Sequence, residues 1–154
     1  MRKDSLLKII AGLIAAMFFY AAVSKLTDFS QSRQEMRNQV FPVPVADVLL
    51  WVVPLTELNL SFLLVYQPTR LIALYASLVL LCLFSIYITI TMTGIFGRVP
   101  CSCGGILKHM SYGAHLIFNL FFIGIAIWGI AQEKGWSIHN RRFNTKGRRL
   151  QAIE

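Results

Sequence analysis

Four long apolar stretches constrain this chain more than any other feature of its sequence. They run approximately over Leu6–Leu26, Ala46–Tyr66, Leu71–Thr93 and Tyr112–Ala131. Each reaches the length of about 20 predominantly apolar residues that a helix needs to cross a bilayer. Because lipid offers no partners to backbone polar groups, a spanning segment must satisfy them within a helix. The sequence therefore predicts an all-α integral membrane bundle of four transmembrane helices.

The composition agrees with a lipid environment. The chain has 154 residues, of which 56% are hydrophobic and 14% charged, whereas a soluble domain carries about 25% charged residues. A soluble helical bundle would show a polar stripe on each helix, and the third stretch has almost none. The net charge of +8 is compatible with nucleic-acid binding, but most of the charges lie beside apolar runs. We expect the lipid bilayer as a partner and no nucleic acid.

The first apolar stretch also has features of a cleaved signal peptide. It follows Arg2 and Lys3, and Ala21 and Ala22 are small residues of the kind found near cleavage sites. The apolar run is long, however, and its removal would leave three spans with the basic tail outside the cell. We therefore interpret it as a helix of the mature protein.

The distribution of lysine and arginine predicts the orientation, because cytoplasmic loops are enriched in these residues. With both termini cytoplasmic, the inner side holds ten and the outer side five of them. The inner ten are Arg2, Lys3, Lys8, Arg70, Lys134, Arg141, Arg142, Lys146, Arg148 and Arg149. We thus expect a multi-pass protein of the cell (inner) membrane, with a transmembrane domain over 1–133 and a basic cytoplasmic tail over 134–154.

The connections between the stretches differ in character. Residues 67–70 form a short turn with Pro68, which predicts an antiparallel hairpin of the second and third helices. The first outer loop, about Thr27 to Val45, alternates apolar and polar residues at helical spacing. This pattern predicts a short helix on the outer membrane surface, ended by Pro42 and Pro44.

The second outer loop contains two cysteines one residue apart, Cys101 and Cys103, among proline and glycine. A disulfide across such a short separation is strained, and strained disulfides tend to be labile and oxidising. Arg98 and Lys108 are close enough in sequence to favour a thiolate. The alternatives are a structural disulfide and metal binding with His109, although these three ligands are one fewer than a structural zinc site uses. We predict a redox pair and no metal.

Polar residues inside the predicted spans are the next candidates. Glu57 lies near the middle of the second stretch, where a carboxylate is costly and often functional. We expect Glu57 to pack inside the bundle rather than to face lipid. Its expected partner is Lys25, which ends the first stretch, or a polar group on the first or fourth helix. His115 and Asn119 share one face near the outer end of the fourth stretch, where His115 is a candidate proton relay. These groups either serve such a relay or simply hold the helices together by hydrogen bonds.

Three segments together resemble a known family. They are Ser24-Lys25-Leu26, Pro54 with Glu57, and Pro100-Cys101-Ser102-Cys103-Gly104-Gly105, followed by His115 to Leu120 in the fourth stretch. This pattern resembles the MauE-type methylamine utilisation proteins, within the broader DoxX-like membrane family. The resemblance implies four membrane helices and an association with disulfide formation or redox maturation of exported proteins, often beside a thioredoxin-like partner. It also implies that Cys101 and Cys103 are the redox pair.

Two classes of function are compatible with these features. In the first, Cys101 and Cys103 exchange electrons with a thioredoxin-like or other exported thiol protein, with a membrane quinone as a candidate cofactor. The chain would then be a component of a thiol-disulfide oxidoreductase. In the second, the chain is a non-catalytic membrane anchor or assembly subunit, and the disulfide is structural.

Overall fold

Helices make up most of the part of the chain that the structure describes. A computed structural model describes residues 2–94 and 112–151, with side chains over 4–94 and 113–135. The helices are α1 (Arg2–Thr27), α2 (Phe29–Arg37), α3 (Val43–Val65), α4 (Arg70–Met92) and α5 (Tyr112–Gln151). The predicted all-α class is confirmed.

Four helices are long and apolar enough to cross a membrane. The candidate spans are Asp4–Thr27, Val43–Val65, Gln67–Met92 and Gly113–Gly135. They correspond to the four stretches predicted from the sequence. The last helix differs from the prediction, because α5 continues beyond residue 131 through the basic segment to Gln151. The orientation of the termini remains a prediction.

The short elements also follow the sequence pattern. The predicted surface helix is α2, and it packs against α3 through the rings of Phe29 and Trp51, whose centroids are 4.9 Å apart. Pro44 lies in the first turn of α3, where its missing N–H breaks no helical hydrogen bond. A 3₁₀ turn over Gln67–Thr69 joins α3 to α4 as the expected hairpin.

The chain reverses direction between successive spans. The connections α1–α3 and α4–α5 therefore start from one end of the bundle, and the connection α3–α4 lies at the other end. We call one end the loop end: it carries α2, Gly94 after α4 and Tyr112 at the start of α5. Gly94 has a φ of 71°, a left-handed conformation that glycine adopts without steric cost. The opposite end, the hairpin end, carries Arg2 and the turn Gln67–Thr69. Gly94 and Tyr112, the residues that flank segment 95–111, therefore both lie at the loop end.

The half of the bundle nearer the hairpin end is packed with apolar side chains. Ile14 and Leu64 are completely buried there, together with Leu74 and Ala126. A Cβ atom added to Gly129 on α5 would approach Cγ2 of Ile10 to 3.0 Å. Small residues at such positions allow membrane helices to approach closely. This half is a closely packed core that fixes α1, α4 and α5 relative to one another.

Candidate functional site

A buried ion pair between α1 and α3 is the centre of the candidate site. The Lys25 ammonium lies 2.8 Å from Glu57 Oε1 and 2.9 Å from Oε2, so it donates to both carboxylate oxygens. The side chains are 14% and 3% exposed, respectively. Lys25 Nζ also lies 3.4 Å from the carbonyl oxygen of Ala21. The sequence predicted this pairing and the burial of Glu57 inside the bundle, and both are confirmed.

The face of α3 that carries Glu57 explains why the carboxylate points inward. Pro54, Glu57 and Ser61 recur at three and four residues, which places them on one side of a helix, and all three are buried. The Ser61 hydroxyl donates to the carbonyl oxygen of Ala15 on α1, at 2.9 Å. The polar face of α3 is therefore turned towards α1, and Lys25 is the cation that α1 presents to it.

A cavity of about 290 Å³ lies beside this ion pair, in the half of the bundle nearer the loop end. All four spans and the α2–α3 connection contribute to it. Its walls are mainly apolar and aromatic. They include Phe18 of α1, Val53 of α3, Phe84 of α4 and Phe118 of α5. Apolar walls with a few converging polar groups are typical of small-molecule sites.

Two of the predicted polar residues of α5 line the same cavity. His115 is half-buried, and Asn119 is 3% exposed. The Asn119 Nδ2 atom makes no hydrogen bond to any residue in the described parts of the chain. An unsatisfied buried amide is unfavourable by about 1–3 kcal/mol. The structure thus brings Lys25, Glu57, His115 and Asn119 around one space.

The wall that the α2–α3 connection supplies was not found from the sequence. The Tyr87 hydroxyl donates a hydrogen bond to Gln39 Oε1. The rings of Phe41 and Tyr87 are stacked, with centroids 5.3 Å apart and an interplanar angle of 18°. Gln39 is 2% exposed although it lies outside the helices. A glutamine in a loop has no periodic signal, so its packing against α4 was not predictable from the sequence.

A second ion pair lies at the surface of the same end. Arg37 of α2 donates to both carboxylate oxygens of Asp47, at 3.0 and 2.8 Å. The hydrogen bond to Asp47 raises the pKa of the Arg37 guanidinium above its ordinary value. Arg33 lies 3.7 Å from the same carboxylate. The pair links α2 to α3. Because its groups are solvent-exposed, it contributes little to stability.

The remaining predicted site residues lie in a different part of the chain. Cys101, Cys103 and Arg98 fall within 95–111, outside the described residues. Cys82 is a free, half-buried cysteine on α4. Among the described side chains, no group of three histidine, cysteine, aspartate or glutamate residues is arranged to hold a metal ion.

Comparison with known proteins places this architecture in a family. The family described as methylamine utilisation protein MauE matches residues 3–132. The chain belongs to the MauE family. No curated protein and no solved structure matches the chain significantly.

The MauE match covers every part of the candidate site. It begins at the start of α1, includes the four spans and the segment with Cys101 and Cys103, and ends before the basic tail. The protein is therefore a multi-pass membrane protein of this family by both its sequence and its four apolar helices.

Proposed function

We propose that this MauE-family protein takes part in thiol-disulfide exchange with exported proteins through Cys101 and Cys103. A thioredoxin-like or other exported thiol protein is the partner in this proposal. One thiolate attacks the partner disulfide and forms a mixed disulfide, which the other cysteine then resolves. Exchange of this kind requires a thiolate as the attacking group.

The observation that carries the proposal is that the residues flanking the cysteine segment lie at the same end of the bundle as the polar cavity. Residues 95–111 connect Gly94 and Tyr112, which belong to the end of the bundle where the cavity lies. His115 follows only three residues after Tyr112, and it lines the cavity together with Lys25 and Glu57. Ionisable side chains inside a membrane protein often belong to proton pathways. The ionisable side chains on the cavity wall are therefore groups that can accept or return the protons of the two thiols.

The orientation that this function requires is part of the proposal. The excess of lysine and arginine at the hairpin end and in the tail favours a cytoplasmic location for both termini. In the cell (inner) membrane, the loop end then faces the exterior or the periplasm. These compartments are oxidising, and disulfides persist in them.

Trapping of a mixed disulfide tests the proposal. If Cys101 attacks the partner, Cys103→Ser removes the resolving thiol, and a covalent complex with an exported thiol protein should accumulate. The complex should be visible on a non-reducing gel and should disappear with reductant. Cys82→Ser is the matched control, since that cysteine lies within the α4 span, and it should leave the complex formed by Cys103→Ser unchanged.

The double variant Cys101→Ser/Cys103→Ser separates exchange from a structural role. Exchange predicts that it remains in the membrane but no longer supports maturation of the partner. Normal maturation with the double variant would contradict exchange and favour a membrane anchor or assembly subunit. Disappearance of the double variant from the membrane would identify a structural disulfide.

A further inference from the structure

The cavity is partly open, and residues of its wall reach the outer surface of the bundle. Leu83 of α4 lines the cavity and is also 56% exposed. Leu49 and Val53 of α3 line the facing wall and are partly exposed. In a bundle whose helices span a bilayer, this surface is in contact with lipid. The cavity is therefore accessible to a molecule that is dissolved in the membrane.

The shape and lining of the cavity restrict what such a molecule can be. Its volume of about 290 Å³ is at the lower limit of the roughly 300–1,000 Å³ found for small-molecule sites. The flanking rings of Phe18, Phe84 and Phe118 suit a planar ring, because aromatic groups prefer offset or edge-to-face contacts. A ring-sized head group with an apolar tail fits these walls.

The unsatisfied amide of Asn119 identifies the polar group that the ligand must carry. Its Nδ2 atom is a buried donor with no partner among the described residues, so the complementary group is a hydrogen-bond acceptor. The three N–H groups of the Lys25 ammonium, also on the cavity wall, are already directed at Glu57 and at the carbonyl oxygen of Ala21. The Asn119 amide is therefore the donor that matches a carbonyl oxygen on the ring of the ligand.

We infer that the cavity binds the ring of a lipid-soluble quinone, with Asn119 Nδ2 donating a hydrogen bond to a quinone carbonyl oxygen. The apolar tail of the quinone leaves the cavity between α3 and α4, past Leu83. The binding site rests on contacts within the described residues, whereas its use as an electron acceptor rests on the proposed exchange function.

When Cys101 and Cys103 reduce a partner disulfide, that disulfide accepts the two electrons. Exchange also runs in the reverse direction, in which the thiols of an exported partner reduce the Cys101–Cys103 disulfide. In that direction the pair must be reoxidised by a separate two-electron acceptor, and this site would supply one. When the thiols of Cys101 and Cys103 form a disulfide, one S–S bond is made, and two protons and two electrons are released. A quinone takes up two electrons and two protons and is reduced to the hydroquinone. The residues of the chain then have to hold and move these protons, and His115 and Glu57 lie on the cavity wall.

Photolabelling of the full chain tests the binding site without measuring activity. The purified protein in lipid nanodiscs is labelled with an azidoquinone, with decylubiquinone as the competitor, and the labelled peptide is identified by mass spectrometry. We expect labelling at the cavity wall that decylubiquinone displaces. Asn119→Leu removes the donor at similar volume and should weaken competition by about tenfold or more, because a buried hydrogen bond is lost.

Two further variants separate loss of binding from loss of folding. Ser77→Ala is the matched control, since the Ser77 hydroxyl is also buried without a partner among the described residues but lies outside the cavity. It should leave labelling unchanged. Ala21→Phe places a ring in the cavity from α1 and should abolish displaceable labelling, while the melting temperature of the protein stays close to that of the wild type.

The outcomes distinguish the site from the exchange function. Equal labelling of wild type and Asn119→Leu, or labelling that decylubiquinone does not displace, would overturn the quinone site. Cys101→Ser/Cys103→Ser should still bind the probe with unchanged affinity. If this double variant also matured its partner normally, exchange would be contradicted while the quinone site would stand.

Discussion

The two halves of the bundle are built from the same helices but differ in their interiors. Near the hairpin end, apolar side chains fill the space between α1, α4 and α5, and Gly129 allows a close helix crossing. Near the loop end, the helices enclose a cavity beside a buried ion pair. A chain that needed only to remain folded in a membrane would gain little from this second arrangement.

The difference indicates that the packed half supplies rigidity and the open half supplies chemistry. Burying an ion pair carries a large desolvation cost, and apolar residues of similar volume often give equal or greater stability. The Lys25–Glu57 pair and the Asn119 amide both lie in the open half. Buried polar atoms without a partner among the described residues also occur near the hairpin end, at Arg70 Nε and Ser77 Oγ. What distinguishes the open half is the cavity beside its ion pair, and this combination favours a functional role for that half.

The largest effect on stability is expected from removal of one partner of the buried ion pair. Glu57→Leu leaves the Lys25 ammonium without its carboxylate, which should lower the free energy of unfolding by about 3–5 kcal/mol. The double variant Lys25→Met/Glu57→Leu should recover most of this loss. Denaturant titration in detergent micelles measures both. A double variant as unstable as the single one would show that the pair itself is needed for folding.

An intermediate effect is expected in the packed half. Gly129→Leu places a side chain against Ile10 and Leu74, whose atoms lie 3.0–3.5 Å from the added Cβ. Overpacking of this kind typically costs about 1–3 kcal/mol. Gly124→Leu is the matched control on the same helix, because nothing lies within 4 Å of its added Cβ. Equal melting temperatures for the two variants would contradict the close crossing at Gly129.

The smallest effect is expected at the exposed ion pair of the loop end. Asp47→Asn removes the carboxylate that accepts from Arg37, but both groups are exposed to solvent and screened by salt. The melting temperature should change by no more than the scatter between replicates, at both low and high salt. A large, salt-independent loss would mean that the orientation of α2 is important for the stability of the bundle.

The features that the sequence predicted are those with a strong periodic or energetic signal. The four spans follow from apolar length, and the inward position of Glu57 follows from the cost of a carboxylate in lipid. The approach of Gln39 to Tyr87 was not predictable, because tertiary packing places the α2–α3 connection there. The extension of α5 to Gln151 was not predictable either, because a polar, basic segment has no apolar periodicity.

The cavity itself shows a further limit of the sequence. The sequence identified each polar residue of the site as lying within a span; these residues are Lys25, Glu57, His115 and Asn119. Their arrangement around one space depends on helix crossings that no single helix encodes. The identity of Cys101 and Cys103 as a redox pair was predicted from their spacing and the family resemblance, and it remains a proposal.

The redox state of Cys101 and Cys103 in the charge-free double variant tests the functional role of the open half most directly. In Lys25→Met/Glu57→Leu, the fold is expected to persist without the buried charges. Alkylation of free thiols in intact cells, read as a gel shift, measures the fraction of the pair that is oxidised. We expect the pair to accumulate as thiols in this variant, because the protons released on oxidation have lost an acceptor. A pair that stays oxidised to the wild-type extent, in a stably folded variant, would contradict the functional role of the open half.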